Sequence, residues 1–358
     1  MLMDLSNLIR LKIDVLFHDP PHKSFLINIL GDSFGSEHEK HASGFRSKVL
    51  NGTKFLAVGG DEIKGLVKFC DVASSTIERR LLRLKYWPKG KYLRYNKLHN
   101  IFDPVSDGVE LILNDPNNII EVGKELNEIL SKIYDHVDDV TFYNVLYIAY
   151  ELLWYGYGLP PSLADTRIPT HTVFDHLYSC TTIANTIMEV DNKVKLGGFY
   201  VVTDFPGIQR FVGSGRKAGD FWASSWLLSN IMWGVAEYFA RKYGFDVIIS
   251  PTPRLNPYTL KSIKSWLNDI DAEVMVIEEL KKAFTKAFKI SKDELEELID
   301  QPIIPATITL ILPAIDLKYS EDVVKEISRA YISSWNNIVN DVFNKLESNS
   351  KLMEKIHN

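Results

Sequence analysis

The sequence predicts an α+β protein in which a mainly helical region is followed by a smaller domain of strands and helices. Apolar residues recur at helical spacing through most of residues 5–190, as expected for packed helices. Beyond them, short β-branched runs alternate with helical patterns in the order β-α-β…β-α, which is typical of a ferredoxin-like fold. We therefore expect a helical domain over residues 1–191 and a ferredoxin-like domain over residues 192–358.

The helical region contains segments whose ends are marked by proline or glycine. Residues 5–17 form a helix or a short strand that ends before Pro20 and Pro21, because proline cannot continue either element. A short helix follows and stops at Gly31. Residues 141–158 are apolar nearly all round, so this helix is predicted to be buried.

The second region opens with the strand "FYVVT", which glycines bracket. The long helix that follows, "AGDFWASSWLLSNIMWGVAEYFARKYG", ends at Gly244, a residue type favoured just after a helix. Two further strands are predicted in "FDVIIS" and "ATITLILP", with a charged helical stretch between them. Trp222, Trp226 and Trp233 are expected to pack against the sheet.

The composition is that of an ordinary globular protein, with 46% hydrophobic and 24% charged residues. No apolar run reaches the roughly 18 residues of a membrane span, so no membrane is expected as a partner. The net charge of -5 argues against bulk electrostatic binding of nucleic acid. Cys70 and Cys180 are the two cysteines. They exclude a disulfide framework or a cysteine zinc ribbon and indicate a reducing, cytoplasmic location.

Histidines and carboxylates concentrate around two dipeptides. His18 directly precedes Asp19, and Asp175 directly precedes His176. Neighbouring His and Asp side chains can reach the same divalent ion, and metal-dependent phosphohydrolases use such sets to activate water. Further candidate donors are His22, His38, His41, Asp71 and His171. The alternative is that these histidines cap helices or form hydrogen bonds within loops.

A basic and aromatic segment extends from Arg79 to Lys97, where "RRLLRLKYWPKGKYLRYNK" alternates cations with tyrosine and tryptophan. Such a mixture suits single-stranded nucleic acid, through phosphate pairing and base stacking. A solvated hairpin, or a surface that docks a partner protein, explains the same pattern equally well.

Two glycine-rich segments suggest nucleotide binding. The sequence "GGDE" at residues 59–62 is similar to the metal-binding hairpin of nucleotidyl cyclases. The interrupted pattern before it instead favours a plain turn in front of a helix. In "DFPGIQRFVGSGRKAG", Arg216 and Lys217 precede the long helix, and basic residues at a helix N-terminus suit a phosphate.

Several segments, taken in order, resemble the large subunit of the Cmr complexes, which are type III-B CRISPR effectors. "LFHDPPHK" resembles the start of that family's HD nuclease domain, and "DVASSTIERR" and "DTRIPTHTVFDHL" resemble two later segments. "VVTDFPGIQRFV" followed by "SGRKAGDFWASSWLLSNIMW" closely resembles the family's first palm domain. "IISPTPRLNP" and "PATITLILP" continue the match to about Pro313. Glu78 stands where the family usually has Asp.

The resemblance implies an HD-type domain over residues 1–191 and a ferredoxin-like palm over residues 192–358. A divalent ion (Mn²⁺, Mg²⁺ or Ni²⁺) would then support cleavage of single-stranded DNA, with Lys23 neutralising a phosphate. The implied metal ligands are His18, Asp19, His41, Asp71, Asp175 and His176.

The resemblance also implies that the palm forms one wall of a site that converts ATP to cyclic oligoadenylate. Asp204, Arg216 and Lys217 are the candidates for that wall. In this family a second palm carries a Gly-Gly-Asp-Asp hairpin, which does not follow the first palm in this sequence. Synthesis is therefore not expected from this chain alone. The implied partners are the other Cmr subunits, crRNA, target RNA and single-stranded DNA.

Two other functions remain open. In one, the chain is a non-catalytic scaffold that docks the other subunits and the guide RNA, with a vestigial HD site. That function predicts no bound metal at His18 and Asp19. In the other, the chain is a stand-alone nucleotide phosphohydrolase, which needs a complete His/Asp set within residues 1–190. The palm-like motifs argue against the second alternative.

Overall fold

The structure is a computed structural model, and helices dominate the part of the chain that it describes. It describes residues 4–76, 97–98, 109–110, 115–165, 171–190, 193–301, 304–315 and 317–347. The basic segment from Arg79 to Lys97, predicted as a nucleic-acid or partner surface, lies outside these residues except for Lys97. Within the described ranges, no helix is both long and apolar enough to cross a membrane.

In the ranges that the structure describes, the N-terminal part contains helices and two small antiparallel strand pairs. Its α-helices are α1 (Leu5–Leu16), α2 (Lys23–Leu30), α3 (Phe34–Val49), α4 (Asp61–Ser74), α5 (Asn117–Ile133), α6 (Asp139–Gly156) and α7 (Val173–Ala184). Its strand pairs are β1 (Lys97–Leu98) with β2 (Val109–Glu110), and β3 (Ile187–Val190) with β4 (Lys193–Leu196).

The local signals explain where these helices begin and end. The Asp4 side chain accepts a hydrogen bond from the backbone N–H of Asn7 and so caps α1, which is a helix rather than a strand. Gly31 ends α2 with a φ of 55°, a conformation that favours glycine. The predicted burial of α6 is confirmed, because every residue from Val140 to Trp154 is buried.

The C-terminal part alternates strands and helices, as predicted. Its elements are β5 (Phe199–Asp204), α8 (Ile208–Val212), α9 (Ala218–Tyr243), β6 (Ile248–Ser250), α10 (Thr259–Trp266), α11 (Glu273–Phe288), α12 (Lys292–Asp300), β7 (Thr307–Leu312) and α13 (Ser320–Glu347). Gly244 follows the last residue of α9 with a φ of 113°, which confirms the predicted helix end.

The strands of this part form one sheet in the order β5-β7-β6. Both β5 and β6 are antiparallel to β7, so β5 and β6 are parallel to each other and are joined through α9. This is a split β-α-β arrangement, which ferredoxin-like folds contain. The α+β class is therefore confirmed, while the HD-type and ferredoxin-like palm assignments remain predictions.

Three details refine the sequence predictions. The charged stretch is two helices, since Lys289 adopts a φ of 54° and Ser291 caps α12. Trp233 is buried in the core, as expected. Trp222 was also expected to be covered by packing against the sheet, but it is 62% exposed. In the "GGDE" segment, Gly60 is the N-cap of α4, and the acidic pair Asp61 and Glu62 lies in the first turn of that helix.

A single hydrophobic cluster extends through both parts of the chain. It includes Ile13 of α1 and Leu146 of α6 together with Phe245 and Leu310 from the C-terminal part. A buried ion pair between Lys12 and Asp246 crosses the same contact. Packing is thus continuous across the domain boundary predicted between residues 191 and 192, which themselves lie outside the described ranges.

Candidate metal centre

Three helical elements bring polar side chains together at one point. His18 follows α1, Asp71 lies in α4 and His176 lies in α7, and α7 packs against both other helices. Nε2 of His18 lies 3.2 Å from Nε2 of His176. Oδ1 of Asp71 lies 3.3 Å from Nε2 of His176 and 3.9 Å from Nε2 of His18. These three donor atoms therefore converge on one small volume.

The second ring nitrogen of each histidine has a partner of its own. Nδ1 of His18 lies 2.6 Å from the carbonyl oxygen of Val15, to which it donates a hydrogen bond. Nδ1 of His176 lies 3.2 Å from Oγ of Ser74. Such outer contacts fix the tautomer and ring orientation of metal-binding histidines. Both Nε2 atoms are thereby directed at the shared volume.

Asp19 is held beside this cluster by a lysine. Nζ of Lys23 lies 2.6 Å from Oδ2 of Asp19, one helical turn away, and both residues are buried. Burial alone would raise the pKa of Asp19, but the Lys23 ammonium acts most strongly against it, through its charge and its hydrogen bond, and the pKa lies well below its usual range. Asp19 is therefore a carboxylate. Lys23 neutralises that carboxylate in this structure, whereas the sequence suggested a phosphate partner.

The protonation states of the cluster suit metal binding. Burial lowers the pKa of His18, so its ring is neutral at physiological pH. Burial acts to raise the pKa of Asp71, but its interactions with the histidines, the hydrogen bond with His176 first among them, overcome burial, and the net shift is downward. Metal ligation requires neutral imidazole and ionised carboxylate. His18 and Asp71 therefore need no change of protonation before they bind a cation.

The cluster borders an open cleft of about 550 Å³. The lining of the cleft includes the candidate ligands His18, Asp19 and Asp71, and also Lys64 and Lys68 from α4. Both lysines are exposed, with Lys64 in contact with Asp61 at 3.0 Å. A polyanion that enters the cleft would thus meet ammonium groups near the candidate ligands.

Asp175 is not part of the cluster, although the sequence suggested it as a ligand. Its Oδ2 accepts hydrogen bonds from the backbone N–H and the hydroxyl of Thr172, which caps α7. Its Oδ1 lies 2.8 Å from Nη1 of Arg254. Because both carboxylate oxygens are engaged, Asp175 serves as a helix cap and an ion-pair partner, and we leave it out of the ligand set.

His41 is also placed elsewhere than the sequence suggested. Its ring lies edge-on to the ring of His22, with 6.0 Å between centroids. Burial, with a contribution from His41, lowers the pKa of His22 to about 4. Nδ1 of His22 is buried and has no hydrogen-bond partner among the described residues. The structure thus pairs His41 with His22, while the His18–His176 pair forms the candidate centre. The ring centroid of His171 lies 6.3 Å from that of His176.

Cys180 is a neighbour of the cluster that the sequence analysis did not single out as a donor. Its Sγ lies 3.7 Å from Nε2 of His176, and one donor atom each from His18, His176 and Cys180 lies within 4.8 Å of the others. Cys180 follows His176 by four residues on α7. A spacing of four residues places two side chains on the same face of a helix. This spacing from His176 was the signal in the sequence that could have identified Cys180 as a candidate donor.

The predicted nucleotide-binding residues of the C-terminal part lie on exposed segments. Asp204 ends β5, and its Oδ1 accepts a hydrogen bond from the hydroxyl of Thr307 at 2.7 Å. The backbone N–H groups of Arg216 and Lys217 lie 2.9 Å and 3.2 Å from Oδ2 of Asp220. Asp220 therefore already occupies part of the α9 N-terminus that was predicted to meet a phosphate.

Comparisons with known proteins agree on one family. Residues 200–340 match the family model described as CRISPR-associated protein Cmr2, N-terminal. The chain is 29% identical over 322 residues to the CMR subunit Cmr2 of the CRISPR system of Saccharolobus solfataricus, covering 85% of this chain and 29% of the relative. It is 30% identical over 162 residues to Cmr2 of Pyrococcus furiosus, covering 45% of this chain and 17% of that relative. The chain thus spans less than a third of the length of these relatives.

Solved structures show the same relationship. A type III-B Cmr-beta cryo-EM structure in the apo state matches with a TM-score of 0.74 and 28% identity, over 92% of this chain and 33% of that chain. The type III-B Cmr-beta structure bound to cognate target RNA matches with a TM-score of 0.71 and 26% identity, over 94% and 32% of the two chains. This chain therefore belongs to the Cmr2 family, the large subunits of type III-B CRISPR complexes, and corresponds to the N-terminal part of its relatives.

Proposed function

We propose that this chain acts within an RNA-guided Cmr complex and that its helical part is a metal-dependent nuclease for single-stranded DNA. The observation that carries the proposal is the convergence of His18, Asp71 and His176 within 3.9 Å of one another. One similar structure is bound to cognate target RNA, which supports RNA and other Cmr subunits as partners of this chain.

The donor atoms fit a divalent cation. Ligand atoms about 2.1 Å from a common ion lie about 3.0 Å apart at neighbouring octahedral positions and about 3.4 Å apart in a tetrahedral site. The observed separations are 3.2 Å, 3.3 Å and 3.9 Å. His18, His176 and Asp71 would hold the ion, with Asp19 beside them. When bound, a divalent ion supplies Lewis-acid activation of a phosphate and of water. Among the candidate ions, imidazole nitrogens suit Ni²⁺, and carboxylate oxygens suit Mn²⁺ and Mg²⁺.

The chain's own residues would orient the DNA strand. Lys64 and Lys68 line the cleft beside the candidate ligands and would pair with phosphates on either side of the reacting bond. Lys23 keeps Asp19 ionised. Without it, a buried carboxylate next to Asp71 would favour the protonated form and would be a weaker ligand.

The test is cleavage of labelled single-stranded DNA in the presence of Mn²⁺, by the chain and by the Cmr complex that contains it. We expect the His18→Ala/Asp19→Ala variant to lose at least about tenfold in rate and in metal affinity. His136→Ala, which replaces an exposed histidine away from the cluster, is the matched control. Equal cleavage by wild type and the double variant would refute the assignment. No cleavage and no bound metal in the wild type would favour the scaffold function instead.

We further propose that the C-terminal part contributes one wall of an ATP site that a second domain completes. One face of its sheet is apolar yet exposed, since Tyr200 is 72% exposed and Val202 is 57% exposed. Such an apolar face indicates a surface that another domain covers. Arg216 and Lys217 are exposed at the start of α9. In the complex, Arg216→Ala/Lys217→Ala should weaken ATP binding at least about fivefold, whereas Lys282→Ala on α11 should not. Unchanged ATP affinity would refute this role.

A further inference from the structure

The position of Cys180 points to a property of the metal centre that its histidines and carboxylates do not provide. We infer that the His18–His176 pair is shared by two alternative third ligands, Asp71 and Cys180, so that the centre sorts cations by their preference for oxygen or sulfur. This inference rests on the metal centre of the proposed function and specifies which ions that centre takes and where.

The distances support a sulfur-containing ligand set. In a tetrahedral zinc site, two nitrogens lie about 3.3 Å apart and a nitrogen and a sulfur about 3.6 Å apart. The two Nε2 atoms lie 3.2 Å apart, and Sγ of Cys180 lies 3.7 Å from Nε2 of His176. Sγ also lies 4.0 Å from Nδ1 of His176. The sulfur is therefore nearer to the ring nitrogen that faces the shared volume than to Nδ1.

The two alternative ligands differ in exposure and in chemistry. The side chain of Asp71 is 32% exposed and lines the cleft, whereas Cys180 is fully buried in a cluster formed by α1, α4 and α7. Carboxylate oxygens suit Mg²⁺ and Mn²⁺, and thiolates suit zinc and other thiophilic ions. Oxygen-preferring ions are thus held beside the cleft, where DNA phosphates can reach them. Thiophilic ions are drawn toward the buried side.

The thiol has a modest role when no metal is bound. Its S–H donates a weak hydrogen bond to the carbonyl oxygen of Cys70 at 3.6 Å. On binding, the S–H bond breaks, the proton passes to solvent and a sulfur–metal bond forms. Cys70 is buried on the neighbouring helix, and its own sulfur is not among the donor atoms grouped with the histidines. Cys70→Ser is therefore a matched control for Cys180→Ser.

The first experiment is the absorption spectrum of the Co²⁺-loaded protein. Cobalt bound to a thiolate shows a near-ultraviolet sulfur-to-cobalt charge-transfer band, which nitrogen and oxygen ligands do not produce. We expect this band in the wild type and in Cys70→Ser, and its loss in Cys180→Ser. A wild-type cobalt spectrum without the band would overturn the inference, and this result does not depend on how any variant folds.

The second experiment compares affinities for Zn²⁺ and Mn²⁺ by titration against a chelating indicator. Cys180→Ser should weaken Zn²⁺ binding at least about tenfold and leave the affinity for Mn²⁺ within about twofold of wild type. Asp71→Asn should do the opposite: it should weaken Mn²⁺ binding more than Zn²⁺ binding. Equal Zn²⁺ affinities in Cys180→Ser and Cys70→Ser would overturn the inference. Neither measurement uses DNA cleavage, so a centre that binds metal without nuclease activity would refute the proposed nuclease and leave the two-ligand inference standing.

Discussion

A buried ion pair ties the first helix to the C-terminal part, and its removal should be among the most destabilising single changes in the chain. Lys12 and Asp246 are both fully buried. Nζ of Lys12 lies 3.0 Å from Oδ1 of Asp246 and 2.6 Å from the carbonyl oxygen of Tyr243. Oδ2 of Asp246 accepts a hydrogen bond from Nδ2 of Asn185 at 2.7 Å. We therefore chose Lys12→Met, which keeps the volume and removes the charge.

The expected cost follows from the charge that this change leaves behind. Removing one partner of a buried pair typically costs about 3–5 kcal/mol, because the other charge remains without compensation. Burial already raises the pKa of Asp246 despite Lys12, and loss of Lys12 raises it further. A carboxyl with a raised pKa in the folded state makes stability fall as pH rises above its unfolded value. The loss in free energy of unfolding caused by Lys12→Met should thus be smaller at pH 5 than at pH 8.

Urea unfolding followed by circular dichroism measures this deficit. Lys124→Met is the matched control, because it removes an exposed lysine that lies 2.7 Å from Glu121, and it should change the free energy of unfolding by less than about 0.5 kcal/mol. The double variant Lys12→Met/Asp246→Asn should recover part of the loss, since it leaves no buried charge. The reasoning is refuted if Lys12→Met lies within about 1 kcal/mol of wild type, or if the double variant is no more stable than the single one.

Two further predictions concern histidines of the helical part. Burial lowers the pKa of His22 to about 4, so wild-type stability should fall as pH drops from about 6.5, the value of free histidine, toward 4. Between pH 7.5 and pH 5, the free energy of unfolding of His22→Gln should fall by about 2 kcal/mol less than that of the wild type. His136→Gln is the control and should show the wild-type dependence of urea unfolding on pH. Identical profiles for both variants would contradict this prediction. Ser74→Ala removes the hydroxyl beside Nδ1 of His176 and should weaken Mn²⁺ binding about tenfold. Ser75→Ala, on the next residue, is its control, and equal loss of Mn²⁺ affinity in both would show that the hydroxyl does not position the ring.

Much of the fold was predictable because its signals are local. The glycines at the ends of α2 and α9 mark helix ends through their own backbone conformation. The nearly continuous apolar run of α6 allows few environments other than the core. His18 and Asp19 were identified as candidate ligands because adjacent residues remain neighbours in any fold. Signals of this kind depend on residues within a turn or two of the chain, so they can be interpreted without knowledge of the tertiary contacts.

The remaining features depended on contacts between residues far apart in the sequence. Asp71 and His176 meet because α4 and α7 pack together, and no local spacing relates them. Asp175 stands next to His176, yet Arg254 from the C-terminal part engages its carboxylate, which removes it from the ligand set. By itself the sequence determined the helix ends, the buried helix and the His18–Asp19 pair. Only tertiary packing decided which donors converge, because a helix displays residues on every side and its neighbours select the face that meets the site.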